Sequence, residues 1–218
     1  MEDIILIDKP KGLTSFDVIR ILRKKLGVTK IGHAGTLDPA ATGLLVVGVG
    51  EGTKKLKDFV KFDKTYLARI LFGKKTTTGD LEGEIIKEQD LRELEVRKLK
   101  KILKDMEGEI ELQVPAYSAV KLAGKPLYKY ARSKLPVKLP KRTTHIFYSH
   151  LRGVKKVREG RKHFVIAEIE IKVSSGTYIR AVAEEIGKRL KIPATLSNLR
   201  RTKIGNFRVE AAKKLEDF

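Results

Sequence analysis

The chain has 218 residues, 41% of them apolar and 34% charged, with neither cysteine nor tryptophan; that length supports a core without staples, and the missing thiols exclude a disulfide framework, a thiolate nucleophile, an iron–sulfur cluster and the usual structural zinc sites. Four histidines without an HExxH spacing leave little to hold a metal, no apolar run approaches the ~18 residues of a membrane span, and the start, apolar only from Ile4 to Ile7, lacks the features of a secretory signal, so no metal, no membrane association and a cytoplasmic location are expected. Lys and Arg number 47 against 27 Asp and Glu, a net charge of +20, and the excess is uneven, with residues 1–120 carrying 22 basic and 19 acidic side chains and residues 121–218 carrying 25 and 8.

In chain order, Ile4 to Ile7 reads as a buried strand closed by the turn Lys9-Pro10-Lys11-Gly12. Thr14 or Ser15 then caps a helix whose apolar residues Phe16, Ile19, Leu22 and Leu26 keep near-helical spacing, with Gly27 as its stop. Leu44 to Val49 is a predicted strand, and Thr65 to Phe72 another, alternating with Tyr66, Ala68, Ile70 and Phe72 on one face. Val96, Leu99, Leu103 and Met106 mark an amphipathic helix ended by Gly108. His163 to Val173 alternates most cleanly, which predicts a mid-sheet strand with one wet face. The turn Ser174-Ser175-Gly176 follows, and Thr177 is expected to cap a helix with Ile179, Val182, Ala183, Ile186 and Leu190 in one stripe.

Strands and helices mixed without regular crossovers predict an α+β fold, built on a mixed, largely antiparallel sheet flanked by helices and loops. No linker-like composition divides the chain, so a single domain over residues 1–218 is expected. The basic stretches Gly124 to Arg142 and Arg152 to Lys162 are expected to be loop excursions that grip a polyanion. The charge of the second half is the footprint of such a ligand, since each neutralised phosphate releases condensed counterions. A thermophilic surface would enrich both signs together and does not account for the asymmetry. Nucleic acid is the expected partner.

Two clusters carry candidate chemistry. The glycine-rich segment Gly32-His33-Ala34-Gly35-Thr36-Leu37-Asp38-Pro39-Ala40-Ala41-Thr42-Gly43 puts polar groups on a loop where a substrate can approach the backbone. Asp38 is either a catalytic carboxylate or an ordinary solvated acid, because Asp-Pro is also a common turn pair. In Ser175-Gly176-Thr177-Tyr178-Ile179-Arg180, the arginine sits at a helix start, where the dipole disfavours it. A guanidinium there could pair with a loop carboxylate and hold it ionised, as a nucleophile needs. Taken singly, Tyr66 reads as a core or interface aromatic and His33 as a surface or capping residue.

Taken together, IDKPKGLTSFDV, GHAGTLDPAATGLL, DKTY, QVPAYSAVKLAGKPLYKYAR, SSGTYIR and LRRTKIGNF resemble, in this order, the tRNA pseudouridine synthase B family. The resemblance implies a pseudouridine-synthase-like catalytic domain and an isomerase that converts uridine 55 of the tRNA T-loop. No cofactor and no obligate protein partner are expected, and the T-stem-loop is the expected substrate. Asp38 matches the family's aspartate, thought to attack the nucleotide. Tyr66 matches the tyrosine that covers the base and is a candidate for taking the carbon-5 proton, and Arg180 matches the arginine that pairs with the aspartate. A uridine stacked in a folded loop must be extruded to react. His33 matches the histidine that fills the vacated stack, and Tyr178, Ile179 and Leu199 match residues that line the uracil pocket with Tyr66. Lys9-Pro10 and the helix after it belong to the family's first motif, read as support behind the catalytic loop.

Two departures stand out. Thr76-Thr77-Thr78-Gly79-Asp80 stands where members usually carry Thr-Asp-Thr-x-Asp, so Asp80 alone remains. Bacterial members commonly continue into a PUA-type RNA-binding domain; with Phe218 last, that domain is expected to be absent and the basic second half to compensate in part. Two other readings stand beside the stand-alone enzyme. A guide-RNA-dependent synthase of the archaeal kind shares the GHxGTLDP loop but leans on accessory proteins. A tRNA-binding or folding module without turnover would not require Asp38, Tyr66 and Arg180 together.

Overall fold

The computed structural model describes residues 3–133 and 135–218. In chain order its elements are β1 (Ile4–Lys9), α1 (Ser15–Leu26), β2 (Ile31–Ala34), β3 (Thr42–Val49), α2 (Leu56–Phe59), β4 (Lys64–Phe72), β5 (Lys74–Thr76), β6 (Ile85–Glu88), α3 (Val96–Asp105), β7 (Gly108–Gln113), β8 (Lys121–Leu122), β9 (Lys125–Pro126), α4 (Leu127–Arg132), β10 (Lys141–Glu159), β11 (Lys162–Val173), α5 (Ile179–Leu190), β12 (Ala194–Ile204) and β13 (Phe207–Arg208). The chain divides into two compact units, the first made of residues 1–67, 171–175 and 198–218 and the second of 68–170 and 176–197. β4, β11 and β12 each have residues in both.

The first unit has a mixed sheet. β1 and β2 both pair antiparallel with β3, from Ile4↔Gly48 to Lys9↔Gly43 and from Ile31↔Val49 to Ala34↔Val46. β12 joins β3 in parallel at Arg200↔Thr42 and Arg201↔Gly43, and turns back antiparallel into β13. The predicted α1 forms because its ends are specified. Thr14 caps it in a reciprocal box, with Asp17 N donating to Thr14 Oγ1 at 3.0 Å and Thr14 N to Asp17 Oδ2 at 2.9 Å, and Gly27 closes it with φ +66°. Its buried side is Ser15, Val18, Ile19 and Leu22, packed with Ile5, Ile7, Leu45 and Val47 of the sheet. Phe16 departs from the expected stripe: it is 60% exposed. At 3.6 residues per turn it points roughly 120° away from the Val18–Ile19–Leu22 side, so near-helical spacing along the sequence does not make it part of the core.

The second unit is also α+β. β7 and β10 pair antiparallel from Gln113↔Lys141 to Gly108↔Ile146. α3 packs against α5 and β10, burying Leu99, Ile102, Leu103 and the capping Met106, while α5 turns Val182, Ala183, Ile186 and Leu190 inward as its stripe predicts. β11 alternates as expected, with Val165, Ala167, Ile169, Ile171 and Val173 buried. Two expectations are corrected. Gly124 to Arg142 is not one loop: outside position 134, which lies outside the described residues, it contains β9, α4 and the start of β10. Arg152 to Lys162 is likewise the end of a long β10–β11 hairpin: the strands run on past His150 with their side chains mostly exposed, and the chain reverses only at Gly160, φ +58°.

Candidate active site

Asp38 lies half-buried in the segment between β2 and β3 of the first unit, and that segment is held mainly through its backbone. Ala41 N closes a turn on Asp38 O at 3.0 Å, and Gly12 N donates to Pro39 O at 2.8 Å. Ser15, the first residue of α1, exchanges hydrogen bonds with Leu37: Leu37 N donates to Ser15 Oγ at 2.9 Å and the hydroxyl donates to Leu37 O at 3.3 Å. The peptides on both sides of Asp38 are thus fixed.

Buried cations complete the support. Lys9 has no exposed surface, and its ammonium donates to Leu13 O at 2.6 Å, Pro10 O at 2.9 Å and Pro39 O at 3.4 Å. Burial lowers its pKa; the negative charge of Asp38 opposes that shift, while the Arg201 guanidinium adds to it. The Lys-Pro motif therefore does brace the loop, as expected of it. Arg201, 1% exposed, spans the other side, its Nε donating to Leu44 O at 2.8 Å and its Nη2 to Gly35 O at 3.0 Å. Gly43 lets the strands come together there: a Cβ on it would lie 2.3 Å from Arg201 O, and its φ is +102°. Lys64 at the start of β4 donates to Val60 O at 2.5 Å, Phe62 O at 2.6 Å and Ser175 Oγ at 3.1 Å. Burial first, and Arg201 second, lower its pKa to about 8.

The other residues singled out in the first unit sit as follows. His33 is on β2 opposite Val47, half-buried, and its Nδ1 has no hydrogen-bond partner among the described residues. Burial, followed by Arg201, pushes its pKa below the usual imidazole value, so the ring is neutral at pH 7. Tyr66 is buried on β4 with Ala68, Ile70 and Phe72, and Leu199 is half-buried on β12, its carbonyl accepting from Thr42 Oγ1 at 3.5 Å.

Tyr178, Ile179 and Arg180 belong to the second unit. The expected cap is displaced by one residue: Tyr178, extended at φ −90°, ψ 111°, is the N-cap of α5 and provides no side-chain hydrogen bond, whereas the Thr177 hydroxyl bonds to that of Thr144. Arg180 is buried despite the helix dipole because oxygens surround it. Its Nη1 donates to Thr78 O at 2.9 Å and its Nη2 to Tyr117 O at 3.0 Å, and Asp80 Oδ2 lies 3.6 Å from Nη1. Asp80, the acid retained in the altered motif, also accepts from Thr78 Oγ1 at 2.5 Å and from Glu82 N at 3.1 Å. Where the family pattern has its first acid, Thr77 uses its hydroxyl to accept from Glu84 N at 3.1 Å, closing the same turn.

Sequence reading assigns no role to Arg201 or Lys64. The available signal is their place in LRRTKIGNF and DKTY; nothing in composition separates a buried cation from the other basic residues. Among the described residues, no group of three or more His, Asp or Glu side chains is arranged to hold a metal ion, and no helix is long and apolar enough to cross a membrane.

Comparison with known proteins adds the lineage. A family model described as TruB family pseudouridylate synthase (N terminal domain) matches residues 23–179. The chain is 44% identical over 216 residues to the tRNA pseudouridine synthase B of Caldicellulosiruptor saccharolyticus, covering 99% of this chain and 72% of that protein. It is 41% identical over 218 residues to the protein of the same name from Endomicrobium trichonymphae, covering 100% of this chain and 91% of the relative. Among solved structures, an H/ACA RNP bound to a substrate RNA containing 2'-deoxyuridine superposes with a TM-score of 0.68 at 28% identity, and a Cbf5-Nop10-Gar1 complex with 0.69 at 28%. Each covers 98% of this chain, which spans about half of those longer chains, 51% and 52%. The chain belongs to the TruB family of pseudouridylate synthases.

Proposed function

We propose that this protein is a stand-alone tRNA pseudouridine synthase that isomerises the T-loop uridine at position 55. The observation that carries the reading is the Asp38 segment: a half-buried carboxylate whose flanking peptides are pinned by Ser15, Lys9 and Gly12. Such pre-organisation is what a nucleophile needs, since the reacting oxygen then moves little along the reaction path. The names of the relatives, tRNA pseudouridine synthase B, support tRNA as the substrate.

The reaction breaks the bond between the ribose and uracil N1 and forms one from the same ribose carbon to uracil C5. The C5 proton leaves, N1 ends protonated, and no electrons or atoms are gained overall. In this reading the uridine is first extruded from its loop, and the neutral, flat His33 ring takes its place in the stack. Asp38 attacks the extruded nucleotide and holds it while the uracil turns. Tyr66 takes the C5 proton, and Tyr178, Ile179 and Leu199 form the apolar wall that holds the base away from water. Arg180 serves turnover rather than binding. The T-stem-loop is the recognised element, and the basic surface of the second half adds affinity.

Incubating the pure protein with an unmodified tRNA transcript and mapping pseudouridine tests this directly. Modification at position 55 without guide RNA or other proteins is the expected result. Product only after addition of a guide RNA and accessory proteins would move the chain to the H/ACA type, for which the likeness to those complexes at 28% identity is the supporting observation. Binding without product under either condition would leave a tRNA-binding module.

A further inference from the structure

The side of α1 that faces away from the core has an unusual make-up. Phe16 is 60% exposed, more than any other large apolar side chain among the described residues. At about 100° per residue, Arg20 and Arg23 fall within about 40° of it around the helix axis and Lys24 within about 80°. All three cations are exposed, and the Arg23 guanidinium carbon lies 5.9 Å from the Phe16 ring centroid, a cation–π distance. The helix has a single acid, Asp17, and its carboxylate is occupied by the Thr14 cap and Arg20. The surface is therefore an apolar plate set among positive charges.

Those two properties together select the occupant. An apolar protein partner would have to cover three cations, of which Arg20 alone has a carboxylate beside it among the described residues, and an acidic one would have no need of the ring. A nucleotide within an RNA chain supplies both halves at once, a π-face for Phe16 and two flanking phosphates to be shared among the neighbouring cations. We propose that Phe16, Arg20, Arg23 and Lys24 form an RNA-binding platform on which an unpaired base stacks on Phe16 while its flanking phosphates meet the three cations. The platform rests on the reading of the chain as an enzyme that acts on tRNA, and it adds a contact outside the residues assigned to that reaction.

Because the Phe16 ring is largely in solvent, its replacement should spare the fold, and equal thermal midpoints for all variants check this. The readout is the Kd for unmodified tRNA by fluorescence anisotropy, with product formation by the unaltered protein measured beside it. Phe16→Ala is expected to weaken binding about five-fold or more, in line with the loss of one base–aromatic stack. Phe16→Tyr should restore the affinity, and Phe16→Leu, equally apolar but not flat, should not. Arg23→Ala combined with Lys24→Ala should also weaken binding and reduce its salt dependence. Unchanged affinity in Phe16→Ala, or full rescue by Phe16→Leu, would overturn the platform. An unaltered protein that binds tRNA but forms no pseudouridine would instead overturn the enzymatic reading, and the variant affinities would still decide the platform separately.

Discussion

The Arg201 guanidinium donates through Nη2 to the carbonyl oxygen of Gly35 over 3.0 Å, three residues before Asp38 in the chain. The same side chain reaches Leu44 O at 2.8 Å, on the far side of the loop. One buried planar fork thus ties the beginning of the candidate catalytic segment to the strand that follows it. Lysine at this position would keep the charge but lose the fork, and one of the two carbonyls would be left without its donor. Arg201→Lys is expected to lower stability by about 1–3 kcal/mol and to reduce turnover while the Kd for tRNA holds. Urea midpoints and single-turnover rates measure the two effects; a variant with normal turnover would show that the clamp does not serve the reaction.

Gly43 and Gly12 both have positive φ, and they separate two physical effects. Alanine at Gly43 would drive a Cβ to 2.3 Å from Arg201 O, whereas at Gly12, φ +91°, a Cβ meets nothing within 4 Å. Gly12→Ala is expected to lose about 1 kcal/mol, from backbone strain alone. Gly43→Ala adds a collision between neighbouring strands and is expected to lose at least about 2 kcal/mol more. Denaturant titration of the pair checks the ordering, and equal losses would refute the close approach.

Lys64 gives a pH dependence with a definite sign. Its folded pKa of about 8 lies below the value of 10.5 for a free lysine. Between these limits the unfolded chain holds a proton that the folded chain has released, so stability rises with pH across the window. Below pH 8 both forms are protonated and the contribution is flat. The denaturant midpoint of the unaltered protein should therefore rise relative to that of Lys64→Met from about pH 8 toward 10. A difference independent of pH would show that the ammonium is not desolvated.

Much of this arrangement is legible in the sequence, and the exceptions share a cause. Alternation in β4 and β11 and the stripe of α5 transfer directly to buried faces, because one buried side is all that such patterns encode. The Thr14 cap and the Gly27 stop follow from local chemistry alone. Phe16 misleads because a helix with three good core residues has no need of a fourth, and spacing cannot say where the stripe ends. Arg201 is hidden for the opposite reason: its burial depends on carbonyls contributed by Gly35 and Leu44, residues distant in sequence that the fold brings to it. The end of the β10–β11 hairpin reads as a loop because its side chains are mostly exposed and charged, with no buried face to impose the alternation of a strand.

That hairpin is the place to test the electrostatic part of the function. Lys155, Arg158 and Arg161 are exposed near its turn, while Arg152, Lys156 and Lys162 face Glu170, Glu93 and Glu88. Replacing Lys155, Arg158 and Arg161 with alanine is expected to weaken tRNA binding and to flatten the plot of log Kd against log salt by about one unit for each phosphate that is no longer neutralised. An unaltered slope would place the RNA elsewhere on the surface.

If Asp38 carries the reaction, Asp38→Asn, close in size but uncharged, separates binding from chemistry. With unmodified tRNA transcript, the variant is predicted to bind as the unaltered protein does while pseudouridine formation falls by at least about a thousand-fold. Product at a rate near that of the unaltered protein would show that another group carries the reaction.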